Sequence, residues 1–114
     1  MGFENRESKR NDTLNLLDYV VIDESGNPVN RAMARTLNVS ENGILLETHL
    51  PLDEGQKLII TLGLENDLCE IKGKIVRIVS AEEDKYSYGI VFYDVEEKDA
   101  AILKDFLEEF NKEN

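Results

Sequence analysis

Val29-Asn30-Arg31-Ala32-Met33-Ala34-Arg35-Thr36-Leu37 runs directly into Asn38-Val39-Ser40-Glu41-Asn42-Gly43 and then into Ile44-Leu45-Leu46. In the first segment, large residues at 29, 31, 33, 35 and 37 alternate with Asn30, Ala32, Ala34 and Thr36, which is the period of two of an extended chain. A strand there puts Arg31 and Arg35 on one face with Met33 between them. The second segment breaks the alternation with a polar run of turn-forming residues and predicts a tight loop. An apolar strand resumes at Ile44.

Working outward, the same grammar repeats. Upstream, LNLLDYVVID from Leu14 carries the β-branched and aromatic residues of a strand, and Glu24-Ser25-Gly26-Asn27-Pro28 supplies a turn. Residues 1–13 are polar apart from Phe3 and are expected to form a flexible N-terminal segment. Downstream, strands are predicted at Gln56 to Leu64, Leu68 to Val79 and Tyr86 to Tyr93, separated by LPLDEG, GLEND and SAEEDK. About six short strands so closely spaced suit a sandwich or barrel. After Asp94 the period changes. Leu103, Phe106, Leu107 and Phe110 fall at i, i+3, i+4 and i+7, the apolar stripe of a C-terminal helix over about 95–110 that docks on the sheet.

A chain of 114 residues has the size of one domain, placed here at 14–110. Its first ten residues lack the apolar core of a secretory signal and no run is long enough for a membrane-spanning helix, so the expected location is cytoplasmic without membrane insertion. The net charge of −11 repels polyanions and argues against DNA or RNA as partners. A phosphate ligand must be held by a local group of arginines, drawn from Arg6, Arg10, Arg31, Arg35 and Arg77.

Catalytic chemistry finds few materials. Cys69 is the only cysteine and His49 the only histidine, which excludes an internal disulfide and a Cys/His zinc site within one chain. Cys69 reads as a small buried hydrophobe in a strand, and His49, ahead of Leu50-Pro51, as a loop or strand-end residue. A nucleophile with its base and orienting group has no candidate set, the carboxylates read as solvated charge, and phosphate-binding loops of the GxxxxGK or GxGxxG type are absent from the sequence. An enzyme is not expected, and no metal or cofactor is called for.

Two short motifs remain. Arg6-Glu7-Ser8-Lys9-Arg10 is an RxxxR string ahead of the first strand, and Asn38 to Gly43 is an NxSxxG string leading into an apolar strand. Each is common alone. Their order, with Tyr88-Gly89-Ile90-Val91-Phe92 in the last strand and a helix after it, resembles the PilZ domain family over roughly Arg6 to Phe110. The resemblance implies a mostly β fold, a six-stranded antiparallel β-barrel with one C-terminal α-helix. It also implies a receptor for the second messenger cyclic di-GMP that changes conformation and signals to a downstream effector protein, in motility, adhesion or exopolysaccharide control.

The ligand residues implied by the resemblance are Arg6, Arg10, Asn38, Ser40 and Gly43, with Arg35 three residues before Asn38 as a further candidate. The chemistry is apt, because a planar guanidinium satisfies guanine O6 and N7 together, or pairs with phosphate, or stacks on a base. Asn38 offers an amide and Ser40 a hydroxyl, and Gly43 is expected to take positive φ or to let a ligand approach the backbone. The alternative for these three is that they only build a turn. Arg77 reads as structural or as a partner contact. Tyr86, Tyr88 and Tyr93 could stack on a base, against the commoner reading of half-buried strand residues. A protein-interaction module on the same fold that binds no nucleotide is the competing function.

Overall fold

The computed structural model describes residues 16–63 and 68–113. The first motif, with Arg6 and Arg10, and the N-terminal segment 1–13 lie outside the described residues.

Six antiparallel strands close into a barrel in the order β1-β2-β3-β6-β5-β4. They are β1 (Leu16–Ile22), β2 (Pro28–Val39), β3 (Gly43–Thr48), β4 (Lys57–Gly63), β5 (Leu68–Glu82) and β6 (Lys85–Tyr93), followed by the helix α1 (Glu97–Glu113). The ring is completed by β1 pairing with β4, from Asp18 opposite Thr61 to Ile22 opposite Lys57. This is the barrel with a C-terminal helix that the two motifs imply.

Alternation decides which residues fill the interior. Leu17, Tyr19 and Val21 of β1 and Leu58, Ile60 and Leu62 of β4 are buried, while their neighbours face outward. On β2 the small residues point in and the large ones out, since Ala34 and Thr36 are buried and Arg31, Met33 and Arg35 are exposed. The reason lies on the neighbouring strand. Tyr19 stands opposite Ala32 and Leu17 opposite Ala34, so the small side chains of β2 leave the barrel axis to the large ones of β1, as a small barrel requires.

The helix closes one end of the barrel. Leu103, Phe106, Leu107 and Phe110 are all buried in the core, with the rings of Phe106 and Phe110 stacked at 6.2 Å. Glu97 and Asp99 in the first turn and Lys112 in the last complement the helix dipole. Cys69 is buried where β5 meets this helix, and its thiol donates to the Asp99 carbonyl at 3.4 Å. Burial, with a smaller contribution from Asp99, pushes that thiol up to about 12, so it stays protonated at neutral pH and is no nucleophile.

Buried hydroxyls fasten the loop that follows β3. The Tyr88 hydroxyl accepts from Leu52 N at 2.7 Å and donates to Leu50 O at 3.1 Å. Thr48 Oγ1 donates to Met33 O at 3.2 Å, which leaves the Tyr19 hydroxyl to donate to Thr48 at 2.8 Å. Burial raises the pKa of both phenols; for Tyr88 the Leu52 N–H works in the opposite direction.

Two sequence expectations need correcting in extent. The tight loop read over Asn38 to Gly43 is shorter, because β2 runs on through Val39. Most of SAEEDK, read as a connection, is strand instead. β5 continues to Glu82 and turns through Glu83 and Asp84, with Asp84 at φ 61°. His49 reaches across from the end of β3 to bond the Asp84 carbonyl through Nδ1, which holds this turn in place.

Candidate functional site

Two irregularities in pairing create an outward-facing site. On β2, Thr36 stands opposite Leu46 but Asn38 stands opposite Leu45, so Leu37 is one residue too many. The phase slips there: Thr36 is buried, Leu37 and Asn38 are both exposed, and Val39 is buried again. Without this bulge, Asn38 would point into the core with Ala34 and Thr36. On β5 the same device recurs, because Ile75 pairs with Ile90 and Arg77 with Gly89, leaving Val76 unpaired. Arg77 is thereby turned out of the barrel, although residues two apart on a regular strand share a face.

The two bulges bring Asn38 and Arg77 into one lateral row. Asn38 is opposite Leu45, Leu45 opposite Gly89, and Gly89 opposite Arg77, a span of three strand spacings or about 15 Å. Above this row lies an open depression of about 350 Å³, to which Asn38, Ser40 and Gly43 contribute one wall, Val76 and Arg77 another, and Leu45, Gly89 and Val91 the floor.

The loop wall is held rigidly by its own residues. Ser40 N donates to Gly43 O at 2.8 Å, and Ser40 Oγ accepts from Asn42 N at 3.2 Å and Gly43 N at 3.3 Å. Phe92 N donates to Asn42 O at 2.9 Å, pinning the loop to β6. Asn38 Oδ1 accepts from Val39 N at 2.9 Å, which commits the amide oxygen to the backbone and leaves the amide nitrogen as the donor available to a ligand.

Gly43 is required for a reason other than the expected one. Positive φ among the glycines is confined to Gly26 and Gly55, whereas a Cβ on Gly43 would collide with the Ile90 carbonyl of β6. The close approach at Gly43 is therefore to the neighbouring strand, and it seats the loop against the barrel.

Sequence reading thus placed Asn38, Ser40 and Gly43 together, and the structure brings them onto one wall. Arg35 is exposed one row away, opposite Glu47 and Leu16, and does not line the depression. Tyr88 is buried and occupied by the loop carbonyl and amide described above, with Tyr86 stacked on it at 6.3 Å. Tyr93 lies under the Lys57 ammonium, 5.7 Å from the ring centroid. Arg77, read as structural or as a partner contact, is the residue that sequence reasoning missed. Its signal was present only as an arginine facing a glycine across a strand pair, which a single-strand pattern does not display.

Comparison with solved structures finds the same architecture. The PilZ domain of YcgR from Escherichia coli, solved with c-di-GMP, aligns over 86% of this chain and 83% of its own, with TM-score 0.62 and 12% identity. The PilZ domain of CeSA from a cellulose-synthesizing bacterium aligns over 87% of this chain and 94% of its own, with TM-score 0.57 and 14% identity. MrkH of K. pneumonia in its apo state gives TM-score 0.56 and 16% identity over 86% of this chain, which spans only 50% of MrkH. A comparison with curated protein sequences gives no match. The family model for the PilZ domain matches residues 4–109, nearly the full length, and the chain belongs to the PilZ domain family.

Proposed function

We propose that this PilZ domain binds cyclic di-GMP in the outer-face depression and passes the event to a downstream effector protein, from the cytoplasm, without catalysing a reaction. The observation that carries the reading is the NxSxxG loop. Its Asn38 is turned outward by a bulge and its Ser40 and Gly43 shape one wall of the depression, and a neighbour of the same fold was solved with this ligand.

The first motif supports the same site through reach. Arg10 precedes Leu16 by six residues, a chain length that spans up to roughly 20 Å when extended. Leu16 starts β1 beside Arg35, one strand away from Asn38. Arg6 and Arg10 can therefore close over a dinucleotide against the Asn38 to Gly43 wall, pairing with its phosphates and guanines. Arg35, one row off, adds positive potential at the rim. Ordering a segment on binding costs conformational entropy, so affinity is moderate and falls with salt.

Calorimetric titration of the chain with cyclic di-GMP, beside an Arg6→Ala/Arg10→Ala variant and a GTP control, tests this. Saturable binding that is lost in the variant and absent with GTP is the expected result. No binding at high ligand concentration sinks the reading and leaves an interaction module that needs no nucleotide.

A further inference from the structure

We propose that Arg77 supplies a ligand-contacting guanidinium from the wall opposite Asn38, and that Gly89 is its positioning residue, an inference that rests on the cyclic di-GMP reading of the depression. A methyl group built on Gly89 would come within 2.9 Å of Arg77 Nε, 3.0 Å of its Cγ and 3.6 Å of its Cδ. The stem of Arg77 therefore lies across the bare backbone of β6. Three consecutive atoms pass over one α-carbon, which an ordinary side chain at 89 would prevent.

The direction of that stem is fixed by the ladder. Arg77 on β5 is paired with Gly89 on β6, and the next residue in the row is Leu45 on β3. A side chain leaving β5 across Gly89 travels toward β3 and the Asn38 to Gly43 loop, and Arg77 lines the same depression as Asn38 and Ser40. Among the described residues, no carboxylate pairs with it. The guanidinium is thus uncommitted, held over a sheet with Val76 and Val91 alongside, both about half exposed. A planar cation over an apolar floor suits the face or the O6/N7 edge of a purine, or a phosphate oxygen. Lys72 and Lys74 follow Arg77 down the outer face of β5 and are also exposed, which concentrates positive potential on this side of a chain whose net charge is −11.

The experiment is a double-mutant cycle read by calorimetric titration with cyclic di-GMP on the full chain: wild type, Arg77→Ala, Gly89→Ala and the double variant, with Arg77→Lys and Asn38→Ala beside them. Loss of a charged contact predicts that Arg77→Ala weakens binding by about tenfold or more. Arg77→Lys falls between, because a lysine keeps the charge but not the planar fork. Gly89→Ala weakens binding in the wild-type background and adds nothing once Arg77 is gone, the signature of two residues acting as one.

Thermal unfolding of each variant separates lost affinity from lost fold, and if Gly89→Ala does not fold the two Arg77 variants decide the matter. Unchanged affinity in Arg77→Ala, with binding lost in Asn38→Ala, overturns the inference and leaves the function standing. A Gly89→Ala defect that persists in the Arg77→Ala background overturns the positioning role. No binding by the wild-type chain overturns the function and the inference with it.

Discussion

β1 and β4 alternate buried and outward residues from end to end, whereas β2 slips at Leu37 and β5 at Val76 and again beyond Ile78. The regular strands contribute Leu17, Tyr19, Leu58, Ile60 and Leu62 to the core. The slipped strands contribute Asn38 and Arg77 to the outer depression. One extra residue per strand converts a core-building pattern into a site-building one, because it rotates everything beyond it by half a period. Stability and recognition are thereby assigned to different strands of the same closed sheet.

Substitutions on the two kinds of strand should separate accordingly. The largest effect is expected for Ile60→Ala on regular β4, where a side chain with 0% exposure leaves a cavity. A loss of about 2–5 kcal/mol by denaturant unfolding is expected, with ligand affinity of the folded fraction unchanged. If affinity falls equally, the division between strands is not real. Gly43→Ala comes next. Its Cβ meets the Ile90 backbone, which cannot swing away as a side chain can, so about 1–3 kcal/mol is lost and the loop wall shifts, lowering affinity as well. A variant that binds normally would show that the loop seat is dispensable.

A smaller effect belongs to Cys69, on the regular part of β5. Its thiol titrates near 12 in the folded chain against an ordinary value of 9.0. The folded state therefore holds the proton more tightly, and this contribution to stability is intact below pH 9 and declines as pH rises toward 12. Cys69→Ala should flatten the alkaline limb of a stability profile, leaving the part owed to Tyr19 and Tyr88, whose phenols are raised in the same direction. An unaltered limb would assign the whole decline to other groups. The smallest stability effect is expected for Asn38→Ala, within about 0.5 kcal/mol because its side chain is exposed, although binding should weaken by about tenfold. A large loss of stability there would make Asn38 a turn residue first.

This contrast also marks how far the sequence could be read. Alternation over Val29 to Leu37, the stripe from Leu103 to Phe110 and the turn residues around Gly26 locate the elements because each is a local period or a local conformational demand. The NxSxxG string located one wall of the depression. Bulges escape such reading, since an added residue leaves composition intact and reveals itself only against a partner strand. For that reason Asn38 was placed in a loop and Arg77 outside the site. The need for glycine at 43 was legible, but its cause was not, because the Ile90 carbonyl arrives from a strand more than forty residues later in the chain.

The pairing of β1 with β4 closes a ring that every other strand depends on. In an open sheet one strand can slide along its neighbour and carry a displacement to a distant edge; in a closed one, any slide must be matched around the whole circumference. The barrel is in this respect a stiff drum. A message received at its wall has nowhere to travel inward, and leaves by the surface on which it arrived.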